Sequence, residues 1–176
     1  MPTPSPDLYQ AIILDHHRSP RNNRALEDGA CHAEGYNPLC GDQVTVWLRV
    51  ADGIVQEATF QGQGCAISQA SASLMTQALA GRTVAEAQAL FERFQRVAQG
   101  KPEPQDGTAL GKLVALSGVS AYPMRVKCAT LAWHAMREAL GGAALPAAAD
   151  ERTGGRADAS RESSPSAAPP ARLPAQ

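Results

Sequence analysis

The chain has 176 residues and a mass of 18.5 kDa, enough to bury one core, and nothing in its composition calls for a second folded domain. Lys and Arg number 16 and Asp and Glu 17, so the positive excess that draws proteins to nucleic acid phosphates is missing. The N-terminus has no basic region followed by a long apolar run, and no stretch approaches the roughly 18 apolar residues of a membrane span, so the expectation is a cytoplasmic protein with neither nucleic acid nor membrane as partner, its cysteines reduced or metal-bound.

Leu8, Ile12 and Ile13 fall at helical spacing in the segment Asp7 to His17, which follows a helix-starting Ser5-Pro6 and stops at Ser19-Pro20. A looser stretch leads to Cys31-His32-Ala33-Glu34, a short edge strand, before Gly35-Tyr36-Asn37-Pro38 turns the chain toward a loop carrying Cys40. Val44, Val46, Leu48 and Val50 alternate with Thr45, Trp47 and Arg49, the pattern of a strand with one face on the core and Trp47 on the other. Asp52-Gly53 is a tight turn into a second β-rich run, Ile54 to Phe60, after which Gly62 and Gly64 loosen the backbone before Cys65.

Ile67, Ala70, Leu74 and Ala78 line one face of a helix from Ala66 to Ala80, with Gly81 placed to end it. Cys65 then stands at the helix start, where unpaired N–H groups and the helix field favour a negatively charged sulfur. Thr83-Val84-Ala85-Glu86 is a capping box, and Val84, Ala87, Phe91 and Phe94 form the apolar stripe of the helix it opens. After a break at Gln99 to Pro104, Leu110, Leu113 and Val114 suit a short helix ended by Ser117-Gly118. Tyr122-Pro123 opens a last helix packed through Leu131, Ala132, Ala135, Met136 and Ala139, with Cys128 in or just before its first turn. From Gly141 the chain is dominated by Ala, Pro, Gly and Ser without an aromatic residue, so residues 1–140 are expected to form the domain and 141–176 a disordered tail.

Chemistry points to Cys40, Asp42, Cys65 and Cys128. They lack the paired spacing of a zinc finger, so any site must be assembled by folding; the alternative for each cysteine is a buried thiol, and for Asp42 a turn residue. Three thiolates and one carboxylate satisfy a four-coordinate zinc ion, and a deprotonated cysteine can instead carry sulfur as a persulfide. Cys40, on a loop, is the more accessible acceptor. Cys31 and the histidines His16, His17, His32 and His134 are read as structural, and Arg125 and Lys127 either steady a thiolate, dock an acidic partner surface, or are solvated. No nucleophile elbow, phosphate loop or nicotinamide fingerprint is present.

Four stretches in order resemble the U-type iron–sulfur cluster assembly family (SufU, IscU and the NifU N-terminal domain), and its SufU branch above all. They are Ile13-Leu14-Asp15-His16-His17-Arg18-Ser19-Pro20-Arg21-Asn22, Asn37-Pro38-Leu39-Cys40-Gly41-Asp42, Gly62-Gln63-Gly64-Cys65-Ala66-Ile67-Ser68 and Arg125-Val126-Lys127-Cys128-Ala129-Thr130-Leu131. The likeness runs from about Leu8 through Leu140.

The resemblance implies a compact α+β domain, a small antiparallel sheet packed against helices, with Zn2+ held by Cys40, Asp42, Cys65 and Cys128. It implies that Cys40 accepts sulfur from a SufS-type pyridoxal-phosphate-dependent cysteine desulfurase, whose histidine takes the place of Cys40 on the zinc, and that downstream SUF cluster-assembly proteins receive it. The protein would then be a sulfurtransferase-like accessory factor rather than a stand-alone metabolic enzyme. IscU-type relatives build an Fe-S cluster on corresponding cysteines, so transient cluster scaffolding is the runner-up, and a structural zinc-binding interaction module a third reading. Lys127 stands where the scaffold pattern has histidine, the scaffold's proline-rich chaperone-recognition sequence is absent before Cys128, and the long stretch from Gln99 to Tyr122 fits the SufU branch better.

Overall fold

A computed structural model describes residues 6–144, all within one compact unit. The chain runs α1 (Pro6–Arg18), β1 (Cys31–Asn37), β2 (Asp42–Ala51), β3 (Ile54–Gln63), α2 (Ala66–Leu79), α3 (Val84–Ala98), α4 (Asp106–Leu110), a 3₁₀ helix (Gly111–Ala121) and α5 (Pro123–Ala144). The three strands form one antiparallel sheet in sequence order, so the fold is α+β as expected. Residues 145–176, which hold nearly all of the expected tail, lie outside the described residues, and α5 itself continues through Gly141 and Gly142 to Ala144.

The alternation in β2 does what half-burial requires: Val44, Val46 and Leu48 are buried under the helices, and Trp47 is half-exposed on the other face. Asp52 and Gly53 both take positive φ, at 53° and 72°, the pairing that matches a two-residue hairpin to the twist of its strands. The capping box forms, with the Glu86 N–H donating to Thr83 Oγ1 and the Thr83 N–H to Glu86 Oε2. Phe91 and Phe94 stack on Trp133 of α5, with ring centroids 5.9 and 4.7 Å away, so these aromatics are core.

Several boundaries differ from those read in the sequence. Gly35 does not turn the chain: β1 continues to Asn37, and a Cβ at Gly35 would stand 3.1 Å from Leu131 Cδ1 and 3.2 Å from Val44 Cγ1, so the glycine lets α5 lie close over the sheet. Gly62 likewise does not loosen the backbone. It lies inside β3, where a Cβ would fall 2.2 Å from the carbonyl oxygen of Gln43. The segment before α5 is one 3₁₀ helix that passes through Ser117 and Gly118 to Ala121. Its partner segment is pinned by buried Asp106, which accepts from Arg96 Nε at 3.2 Å, Arg96 Nη2 at 2.8 Å and the Glu103 N–H at 2.9 Å.

Because α5 starts at Pro123, at the first helical position that proline suits, Cys128 falls in its second turn rather than at its start. That extra turn carries the thiol under the surface. No helix among the described residues is long and apolar enough to cross a membrane.

Candidate metal centre

Three separate pieces of local geometry deliver the four side chains. The loop between β1 and β2 is a tight turn in which the Asn37 carbonyl accepts the N–H groups of Cys40 at 3.3 Å and Gly41 at 2.8 Å, while Asn37 Oδ1 accepts the Leu39 N–H at 3.1 Å. Gly41 closes it with φ 70°, a conformation that residues with a Cβ disfavour. Cys40 is thereby left exposed, and Asp42 enters β2 buried, with 1% of its surface accessible.

Cys65 is the N-cap of α2: its backbone is extended (φ −67°, ψ 164°) and its sulfur accepts the Ser68 N–H at 3.4 Å. The Cys65 N–H in turn donates to Asp42 Oδ1 at 2.9 Å, and Cys65 Sγ is 3.7 Å from Asp42 Oδ2. Cys128 reaches the same place from α5. Its Sγ lies 3.3 Å from Cys40 Sγ and 3.5 Å from the Met124 carbonyl oxygen.

One donor atom each of Cys40, Asp42 and Cys128 lies within 4.8 Å of the others. Cys65 is not within that distance of all three, but touches the cluster through Asp42. Cys31 stands apart, half-buried in β1 opposite Leu48, and all four cysteines are free. His16 is buried, its Nδ1 2.7 Å from Ser73 Oγ, where it ties α1 to α2. Arg125 extends its guanidinium over the Tyr122 ring at 5.3 Å, and Lys127 is exposed.

Asp42 is a buried carboxylate, and among the described residues no Lys, Arg or His forms an ion pair with it, although buried charges are ordinarily paired or bound to metal. Burial above all, then the hydrogen bonds to Asp42 and Cys40, then the nearby Cys65 and Asp42 charges, push the Cys128 thiol far above the usual cysteine range. The donor set of sulfurs and one carboxylate suits a tetrahedral divalent ion of the zinc type. Two thiolates on such an ion, each about 2.3 Å away, stand about 3.8 Å apart. The 3.3 Å between Cys40 and Cys128 is therefore within half an ångström or so of what the ion demands.

A groove of about 1270 Å³ opens beside the cluster, lined by α1, the 3₁₀ helix and the start of α5; Cys40, Cys65 and Cys128 border it with Tyr9, Ile13 and Met124. Exposed Leu39, Tyr122 and Met124 add apolar surface around Cys40. Sequence reading missed Asn37 as the brace of this loop, though an Asn ahead of a Pro-containing turn is the available signal. It also missed that Asp42 is buried, which depends on how β3 and Cys65 close over it.

The model of the NifU-like N-terminal domain matches residues 8–129. The chain belongs to this family. Among relatives, it is 43% identical over 131 residues to the zinc-dependent sulfurtransferase SufU of Bacillus subtilis strain 168, covering 74% of this chain and 88% of that protein. It is 41% identical over 133 residues to the iron–sulfur cluster assembly scaffold protein IscU of Thermotoga maritima, covering 76% and 92%. The crystal structure of FiSufU, a SUF-system protein of Fervidobacterium islandicum AW-1, superposes with a TM-score of 0.70 at 32% identity, covering 78% of this chain and 99% of that one. This NifU-like domain is thus of the SufU branch.

Proposed function

We propose that this protein is a zinc-dependent sulfur acceptor and relay for iron–sulfur cluster biogenesis, with Cys40, Asp42, Cys65 and Cys128 as the zinc ligands and Cys40 as the acceptor. The observation that carries the reading is the convergence of Cys40, Asp42 and Cys128 within 4.8 Å, with the Asp42 carboxyl buried and, among the described residues, in no ion pair, and with Cys65 against it. The family relatives are accessory assembly and transfer proteins, and this chain is one too.

Bound zinc would supply a charge that keeps its cysteine ligands deprotonated near neutral pH without redox chemistry of its own. The chain's residues divide the remaining work. Cys128 is buried, and the sulfur of Cys65, though exposed, accepts the Ser68 N–H of its helix cap and lies 3.7 Å from Asp42 Oδ2. Cys40 sits exposed on its turn, with its sulfur 3.3 Å from the Cys128 thiol.

A Cys40 thiolate attacks the outer sulfur of a persulfide presented by the desulfurase. A new S–S bond forms at Cys40 Sγ, the partner's S–S bond breaks, and the electron pair leaves on the partner's cysteine as thiolate, so no oxidant or reductant is consumed. The groove and the apolar residues Leu39, Tyr122 and Met124 suit docking of a SufS-type cysteine desulfurase over Cys40, and downstream SUF proteins then receive the sulfur.

Scaffolding of a transient Fe-S cluster is the second reading, favoured by the 41% identity to the Thermotoga maritima scaffold. Incubation of the zinc-loaded protein with a competent desulfurase and cysteine tests the relay by intact mass. The wild type gains sulfur and Cys40→Ser does not; uptake by Cys40→Ser at the wild-type level contradicts it. Anaerobic iron and sulfide reconstitution that replaces zinc with a stable cluster favours the scaffold instead.

A further inference from the structure

Two glycines flank the cluster and do different things. Gly41 has open space around its absent Cβ and is needed for its left-handed backbone. Gly64 is not among the residues with positive φ, so its backbone tolerates a side chain. What it lacks is room. A Cβ at position 64 would stand 2.6 Å from Asp42 Oδ1, 2.9 Å from Asp42 Cγ and 3.2 Å from Asp42 Cβ, well inside the ~3.5–4.0 Å of ordinary contact.

An exposed carboxylate would swing aside at little cost, but Asp42 cannot. It is buried at the start of β2, its Cα paired in register with Asn37 of β1, and its Oδ1 holds the Cys65 N–H at 2.9 Å. Rotating away from a residue-64 methyl group breaks that hydrogen bond and carries the carboxylate off the thiols. We infer that Gly64 is a positioning residue of the metal centre: the space left by its missing side chain is the seat of the Asp42 carboxylate, and any larger residue evicts it.

The inference rests on the zinc reading only where metal affinity is concerned; the seat itself is a property of the metal-free chain. Position 62 shows the contrast, because a Cβ there meets the Gln43 carbonyl and the Val44 backbone rather than a ligand.

The test is a cycle of wild type, Gly64→Ala, Asp42→Ala and the double variant, with two readouts. Zinc affinity, measured with zinc alone against a chromophoric chelator, falls ~10–100-fold in Gly64→Ala, the usual loss when a metal ligand's support is removed, and comparably in Asp42→Ala. In the Asp42→Ala background the second substitution changes affinity by no more than about twofold, since nothing remains to evict. Amide hydrogen exchange at Cys65 in metal-free protein accelerates in Gly64→Ala as it does in Asp42→Ala.

Wild-type exchange at Cys65 in Gly64→Ala, or a loss that recurs in full in the Asp42→Ala background, overturns the inference. A Gly64→Ala chain that fails to fold while the double variant folds supports it, and failure of both to fold overturns it. If the wild type binds no zinc, the proposed function fails while Cys65 exchange still decides the role of Gly64.

Discussion

Ser71 is expected to couple the two helices that frame the candidate metal centre, and the size of that coupling follows from three buried residues. Ser71 lies in α2, the helix capped by Cys65. Its Oγ donates to the Ala129 carbonyl at 2.5 Å, next to Cys128 in α5, and accepts from Trp133 Nε1 at 3.1 Å. Ser71, Ala129 and Trp133 are all fully buried. Ser71→Ala removes both bonds but not with equal effect, because the Ala129 carbonyl lies inside α5 and keeps its helical partner, whereas the indole N–H is left without an acceptor. An orphaned buried donor costs about 1–3 kcal/mol. Trp133→Phe removes the donor and some ring volume; once it is made, Ser71→Ala should cost much less, which gives a coupling of about 1–2 kcal/mol between the two sites. Urea unfolding of the four metal-free chains of the cycle measures it. Losses that add to within about 0.5 kcal/mol would refute the reasoning and leave Ser71 as mere packing.

The remaining predictions concern pH and chain length. Burial above all, then the Arg21 charge, lowers the His16 pKa, with Asp15 opposing and Lys112 adding; burial and Arg137 lower that of His134. A histidine whose folded pKa is depressed contributes stability that is full above its unfolded value, about 6.5, and is lost as pH falls from there toward the folded value. Unfolding free energies measured across that window should therefore rise with pH, and His16→Gln should flatten the rise; an unchanged slope would remove His16 from the account. Ending the chain after Ala144 is predicted to leave cooperative unfolding and zinc stoichiometry unchanged, and loss of either by calorimetry or metal analysis would show that the later residues contribute to the fold.

Where local chemistry alone decides, the sequence was readable. The valine alternation of β2, the Asp52-Gly53 turn, the Thr83–Glu86 capping box and the N-cap position of Cys65 all depend on neighbours in the chain, and all are found. Misread features depend on contacts between elements distant in sequence. Gly35 resembles a turn residue until Leu131 of α5 is seen pressed on it, and Gly62 resembles a loosening residue until the Gln43 carbonyl of β2 is seen against it; Gly64 does stand in the link after β3, but its closeness to Asp42 has no local sign. Cys128 lies a turn deeper in its helix than the sequence suggests, because Tyr122-Pro123 marks the break but not how soon helical geometry resumes. The burial of Asp42, on which the electrostatics of the centre turn, has no local signature.

Localising the transferred sulfur among the four cysteines tests the account most directly. Zinc-loaded protein is incubated with a competent desulfurase and limiting cysteine, alkylated without reduction, and mapped by tandem mass spectrometry. The account predicts one added sulfur on Cys40, with Cys31, Cys65 and Cys128 unmodified. Sulfur on Cys65 or Cys128 with Cys40 unmodified, or none on any cysteine while the desulfurase turns over, would contradict it.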